Sequence, residues 1–165
     1  MNSIFNRTSV RNYLDKVVED EKIEKILRAA MAAPSTGNQQ PWEFIVVKNK
    51  AILEKLALSS SYSKCAKDAP FAIIPCHRKN GLKYEMYLDM DMSAACENIL
   101  LEAVELGLGA VWIGVAPLQD RVEEVARILN ISENLVPFAI IPCGYPANEV
   151  NHKDRFDKSR IHYIQ

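Results

Sequence analysis

Hydrophobic positions along the chain fall into two patterns, helical stripes and short solid runs. Ile23, Ile26, Leu27, Ala30 and Met31 recur at helical spacing, with Lys22, Lys25 and Arg28 turned outward. They predict an amphipathic helix from Asp20 to Ala33. Glu19 and Asp20 suit its N-terminus through the helix dipole, and Pro34 ends it. Ile52, Leu53 and Leu56 predict a helix from Ala51 to Leu58, after which Ser59 to Ser63 is a polar break. Val122, Val125, Ala126 and Leu129 predict another from Asp120 to Leu129, with Asn130 as a left-handed stop. The longest stripe is Leu88, Met92, Ala95, Ile99, Ala103 and Leu106, widened by Leu100, Leu101 and Val104. A helix apolar over most of its girth is a central, buried one. Asp91, Asn98, Glu102 and Glu105 draw a narrow polar line along it. Asp91 and Asn98, seven apart, share a face, while Glu102 and Glu105 read as a solvent seam. Gly107 is placed as its C-cap.

The solid runs are of strand length: Phe44 to Lys48, Phe71 to Cys76, Ala110 to Val115 and Phe138 to Cys143. The second and fourth are the same hexapeptide, FAIIPC. Its proline predicts that both strands end, or reach an edge, at that point. The identity points to neighbouring strands in one sheet, or to coincidence of core composition. Gly114 would let something approach the backbone of its strand closely. Near the C-terminus, Ile161 to Ile164 alternates apolar and polar as a strand does, a candidate for adding to another sheet, including a partner's.

Composition narrows the function classes. A chain of 165 residues, 48% hydrophobic and 25% charged, suits one domain, 1–165, with a real core. A net charge of −1 argues for neither nucleic acid nor an anionic membrane surface. No apolar run reaches membrane-spanning length, and Arg7 and Arg11 interrupt any signal-peptide core. Cys65, Cys76, Cys96 and Cys143 form no CxxC pair and no metal spacing with His77, His152 or His162, which reads as reduced thiols in a cytoplasmic protein without a metal. There is no GxGxxG, no P-loop, no nucleophile elbow and no acid/base dyad, so no catalytic side chain is nominated. The chemistry then falls to a bound cofactor.

Two stretches could hold one. Ala33 to Trp42 reads APSTGNQQPW. Pro34 and Pro41 fix its backbone, Gly37 permits a left-handed turn, and Ser35, Thr36, Asn38, Gln39 and Gln40 offer donors and acceptors for a planar polar ligand. The alternative is a polar loop that only joins a helix to a strand. Ile4 to Arg11 reads IFNRTSVR. Arg7, Ser9 and Arg11 fit a phosphate, each charge-assisted bond contributing roughly 1.5–3 kcal/mol. The alternative is a solvated basic turn.

Taken in order, RTSVR (Arg7 to Arg11), PSTGNQQPW (Pro34 to Trp42), LGLGAVWIG (Leu106 to Gly114), GYP (Gly144 to Pro146) and KSR (Lys158 to Arg160) resemble the nitroreductase family of flavin-dependent oxidoreductases over nearly the whole chain. The resemblance implies an α+β fold, with a central, mainly antiparallel sheet flanked by helices. It implies an intertwined homodimer with C-terminal strand exchange and one FMN per subunit at the interface. By the same resemblance Arg7, Thr8 and Ser9 hold the phosphate, completed by Lys158 and Arg160. Arg11 lies near N1 and O2 of the flavin. Pro34, Ser35, Thr36, Asn38 and Gln40 contact it from the other subunit, and the Ile113–Gly114 backbone faces N5.

The implied activity is hydride transfer from NADH or NADPH to FMN, then to a nitroaromatic, quinone or similar small acceptor, in a ping-pong cycle. The electrostatics agree: a phosphate carries about −1.5 to −2 charges, offset by Arg7, Lys158 and Arg160. A fixed cation at Arg11 would stabilise charge developing at N1 and O2. Three departures stand out, one being that Asp91 and Asn98 match less certain family positions and are left outside the site. Thr8 occupies a position where a basic residue is common in the family. The connection between Arg78 and Leu88 is short, implying a more open pocket. The other readings are the family scaffold used for dehalogenation or flavin consumption, a non-catalytic flavin-binding or sensing dimer, and a module with no cofactor.

Overall fold

The two FAIIPC runs lie side by side. In the computed structural model, which describes residues 2–149 and 154–164, Phe71 pairs with Cys143, Ala72 with Pro142 and Ile73 with Ile141. The hexapeptide thus meets itself antiparallel at the centre of a six-stranded sheet. The strands are β1 Trp42–Val47, β2 Phe71–Arg78, β3 Gly109–Ala110, β4 Ile113–Gly114, β5 Leu135–Pro137 and β6 Ala139–Gly144. The order is β1-β2-β6-β3, with β4 also on β6 and β5 also on β2. All of these pairings are antiparallel. The helices are α1 Ser3–Asn6, α2 Asp20–Met31, α3 Lys50–Leu58, α4 Leu88–Glu105 and α5 Gln119–Leu129. His152 and Gln165 of the tail lie outside the described residues.

The sheet separates two apolar cores. Phe71, Ile73, Ala139, Ile141 and Cys143 face the core shared with α2 and α4. Ala72, Ile74, Cys76 and Ile140 face the core shared with α3 and α5. Alternate residues of β2 and β6 therefore enter opposite cores, and both are buried. That explains why these strands read as solid apolar runs rather than as alternations.

The prolines of FAIIPC do not end strands or mark an edge, contrary to the expectation. Pro75 lies inside β2, opposite Phe44 of β1. Its carbonyl accepts the Phe138 N–H at 2.8 Å. In a strand the N–H and C=O of one residue point the same way, so the missing donor of Pro75 faces Phe138. There the partner changes from β6 to β5 and the register shifts by one residue. Pro142 repeats the arrangement. Its carbonyl accepts the Val111 N–H at 3.4 Å and the Tyr13 hydroxyl at 3.1 Å. On that side the expected strand Ala110 to Val115 is broken into β3 and β4. Each proline sits where the neighbouring ladder is interrupted, so no ladder bond is lost.

Helix ends follow the turn chemistry of the sequence. Gly107 takes φ +74°, its N–H reaches Val104 O at 3.0 Å, and the Leu108 N–H reaches Ala103 O at 2.7 Å. This is the paired C-terminal bonding of a Schellman motif. Asn130 takes φ +49° after α5. Helix α2 stops at Met31 rather than Ala33. The short α1 overlaps the start of the Ile4 to Arg11 stretch, where the periodicity predicts no helix. The C-terminal run Ile161 to Ile164 forms no strand within this chain, and residues 154–164 are all exposed.

Candidate functional site

The N-terminal motif is laid along the outer edge of β3, the side not paired with β6. Ser9 forms a parallel bridge with Ala110, and the Val10 N–H donates to Ala110 O at 3.0 Å. Gly109 makes that approach possible, since a Cβ there would sit 2.6 Å from Val10 Cγ2. The chain then pairs with the GYP turn: Leu14 N–H donates to Tyr145 O at 2.9 Å and Ala147 N–H to Asn12 O at 3.0 Å. Thr8, Ser9, Arg11 and Asn12, with Asn148 and Glu149, line a cleft of about 260 Å³. Ser9 and Arg11 are exposed, Arg7 and Thr8 half-buried. Arg7 Nε lies 3.4 Å from Glu97 Oε1 on α4, a partner the motif did not announce. Among the described residues its two Nη groups make no hydrogen bond.

Ile113 and Gly114 follow on β4. Within the chain the close approach is made at Gly109. A Cβ at Gly114 would meet nothing nearer than the Ala116 carbonyl at 3.9 Å, so its surface is open to an approaching group, as its glycine suggests. The Gly114 carbonyl accepts from Arg121 Nη1 at 3.2 Å.

The loop after α2 divides its polar groups by direction. Thr36 turns inward: its N–H and Oγ1 donate to Asp91 Oδ1 at 2.8 and 3.1 Å. Gln39 also turns inward, its Nε2 donating to Asp91 Oδ2 at 2.8 Å. Ser35 Oγ accepts the Gln40 N–H at 3.0 Å, which closes the loop on itself. Asn38 and Gln40 are left on the exposed side, joined to each other by a bond from Gln40 Nε2 to Asn38 Oδ1 at 3.1 Å. Exposed Pro34 begins the loop, and Pro41 at its far end is buried. Asp91 and Asn98 were not nominated as site residues, yet both hold this region. Asn98 Nδ2 donates to Ala29 O at 2.9 Å near the end of α2. The signal available was their polar line on an otherwise apolar helix.

Within one chain the two motifs stay apart. They dock on α4 at Asp91 and Glu97, about 9 Å of rise and roughly 120° around the helix from each other. Among the described residues no hydrogen bond or ion pair joins residues 7–11 to residues 34–40, and none joins Lys158 or Arg160 to Arg7 or Ser9. Lys158 and Arg160 lie in an exposed 3-10 turn, with Arg160 Nε 3.1 Å from Asp157 Oδ2. Among the described residues no helix is long and apolar enough to cross a membrane. The four cysteines are free and buried; burial pushes the Cys76 and Cys143 thiols up to about 12 and raises that of Cys96 as well.

The nitroreductase family model matches residues 4–63 and 58–145. This chain belongs to the nitroreductase family. Over 162 residues it is 48% identical to the provisionally named NADH dehydrogenase/NAD(P)H nitroreductase of Methanothermobacter thermautotrophicus, covering 98% of this chain and 85% of that relative. Its fold matches the FMN-dependent nitroreductase of Clostridium difficile R20291, with a TM-score of 0.90 and 31% identity over 99% of this chain and 98% of the other. A nitroreductase from Desulfovibrio desulfuricans, likewise provisionally named and solved in complex with FMN, matches with a TM-score of 0.85 at 28% identity, over 99% of this chain and 95% of the other. The expected α+β nitroreductase fold is therefore the one observed.

Proposed function

We propose that this chain is an FMN-dependent NAD(P)H oxidoreductase that works as a homodimer. The observation that carries the reading is the sorting of polar side chains around the two family motifs. Thr36 and Gln39 are spent inward on Asp91, while Asn38, Gln40, Ser9 and Arg11 are presented outward. Such a donor set fits FMN: guanidinium and hydroxyl groups for a phosphate, planar amides for a flavin rim, and an open backbone at Gly114 for the ring.

Bound FMN would supply a two-electron carrier that accepts hydride from NADH or NADPH and delivers it to a nitroaromatic, quinone or similar acceptor in a ping-pong cycle. The protein's residues hold and bias that carrier. Arg7, Thr8 and Ser9, with Lys158 and Arg160, bind the phosphate. Asn38 and Gln40, with Pro34 and Ser35, fix the ring laterally, while Ile113 and Gly114 offer backbone to its reacting edge. Arg11 supplies a fixed cation where negative charge develops, which stabilises the reduced state without a proton transfer. No side-chain acid or base is required.

The separation of the motifs on α4 supports the homodimer reading. One chain docks its 7–11 and 34–40 segments at different points of the helix, an arrangement that suits a ligand shared between two subunits. The outer edge of β1 lacks a strand partner among the described residues, and the tail carries exposed Phe156, Tyr163 and Ile164. Both features suit an exchanged C-terminal segment, with a total interface above roughly 2,000 Å². Anaerobic visible spectra of the FMN-loaded protein before and after NADH and NADPH test the reaction. Bleaching of the flavin with either donor is expected. An unbleached yellow protein would leave the flavin-binding or sensing dimer as the better description.

A further inference from the structure

Asp91 stands near the start of α4 and is only 4% exposed. A carboxylate offers acceptors alone, and three donors from the loop meet it: Thr36 N–H, Thr36 Oγ1 and Gln39 Nε2. Gln39 then reaches in the other direction. Its Nε2 donates to Tyr84 O at 3.2 Å, and its Oε1 accepts the Tyr84 N–H at 3.1 Å. The Tyr84 ring lies over Gly37, where a Cβ would fall 2.5 Å from Tyr84 Cε2. Inside this frame Gly37, Asn38 and Gln40 have φ of +57°, +53° and +46°. Asn38 and Gln40 hold a sparsely populated backbone region, which persists only where the surroundings over-determine it.

We propose that Asp91 is a positioning residue for the cofactor loop: through Thr36 and Gln39 it sets the left-handed conformation that turns Asn38 and Gln40 outward, and through Gln39 it ties the Tyr84 segment to the same loop. The cofactor contact and the short connection beside it then behave as one rigid unit. This rests on the FMN reading for its ligand, and on the hydrogen bonds alone for the loop.

Asn at position 91 discriminates sharply. Its Oδ1 can still accept from Thr36, but its Nδ2 places a donor against the Gln39 donor. A flip of Gln39 to relieve that clash breaks both bonds to Tyr84. Asp91→Asn therefore uncouples the Tyr84 segment while keeping size and the Thr36 bonds. Amide hydrogen exchange on the FMN-free protein and FMN titration of the same sample are the two readouts. The expected result is at least tenfold faster exchange at Tyr84 and at least tenfold weaker FMN binding in Asp91→Asn. Adding Gln39→Glu restores an acceptor opposite the new donor and keeps the bond from the Tyr84 N–H while giving up the one to Tyr84 O, so the double variant recovers part of the affinity. A merely destabilising change would not be rescued in this way. If Asp91→Asn does not fold, Gln39→Met removes the same bond from the loop side and carries the same expectations. Exchange and FMN affinity both within twofold of wild type would overturn the proposal. Wild-type protein that fails to bind FMN would instead overturn the FMN reading, and the exchange at Tyr84 would still decide the part played by Asp91.

Discussion

The 35–40 loop and the 154–164 tail are assigned to the same ligand, yet they are held in opposite ways. The loop is pinned by a buried carboxylate on the central helix and by backbone bonds to Tyr84. Among the described residues the side-chain hydrogen bonds of the tail are all local: Phe156 N–H to Asp154, Ser159 N–H and Oγ to Asp157, and Arg160 Nε to Asp157. Every residue from 154 to 164 is exposed. One half of the proposed site is preorganised inside a single chain, so ordering it costs little when a ligand arrives. In the proposed dimer the other half would take its position from a second surface.

That contrast can be broken at either end. The largest effect should come from the tail. Lys158→Ala with Arg160→Ala should weaken FMN binding at least about 100-fold, since each charge-assisted contact contributes roughly 1.5–3 kcal/mol. The thermal stability of the FMN-free protein should stay close to wild type, because both side chains are exposed and their contacts are local. Unchanged affinity by fluorescence titration would mean that the tail does not reach the phosphate.

Arg11→Ala should retain FMN and slow its reduction by NADH or NADPH on the order of 100-fold in stopped-flow mixing. Lost binding with a normal rate in the residual holoprotein would reverse the roles of the two basic clusters.

On the preorganised side, Gly37→Ala meets both a left-handed backbone and the Tyr84 ring. A loss of about 1–3 kcal/mol in denaturant unfolding is expected. No loss would show that the loop is looser than its bonds imply.

The smallest effect concerns the cores. Burial raises the Cys76 and Cys143 thiols from an ordinary 9.0 to about 12. A raised folded value means that the unfolded chain gives up these protons first. The stability this supplies is complete below pH 9 and is lost as pH rises from 9 toward 12. Melting temperature should be flat from pH 7 to 8.5 and fall above it, and native thiols should resist iodoacetamide until the protein unfolds. Rapid alkylation at pH 8 would contradict the buried placement.

Much of this molecule could be read before its coordinates were known. The four long helices, the two central strands and the stops at Gly107 and Asn130 follow from periodicity and turn chemistry, which act over a few residues. The motifs likewise named the loop and the N-terminal segment. The sites of proline in FAIIPC were misread because a proline's cost depends on what its missing donor would have faced. Here that is a gap in the neighbouring ladder, made by residues some 30 to 70 positions away. The short α1 was missed because four residues carry too little periodicity to register.

Local pattern was enough to establish the long helices, the buried one among them, the central strands and a polar, left-handed turn after α2; their layering was implied only by the family resemblance. It could not say which of Ser35, Thr36, Asn38, Gln39 and Gln40 would face a ligand, because the group that sorts them, Asp91, is 55 residues from Thr36. Folding brings that carboxylate under the loop, and its four lone-pair directions claim the inward donors. The outward pair is what remains, a result of long-range contact that no spacing within the loop encodes.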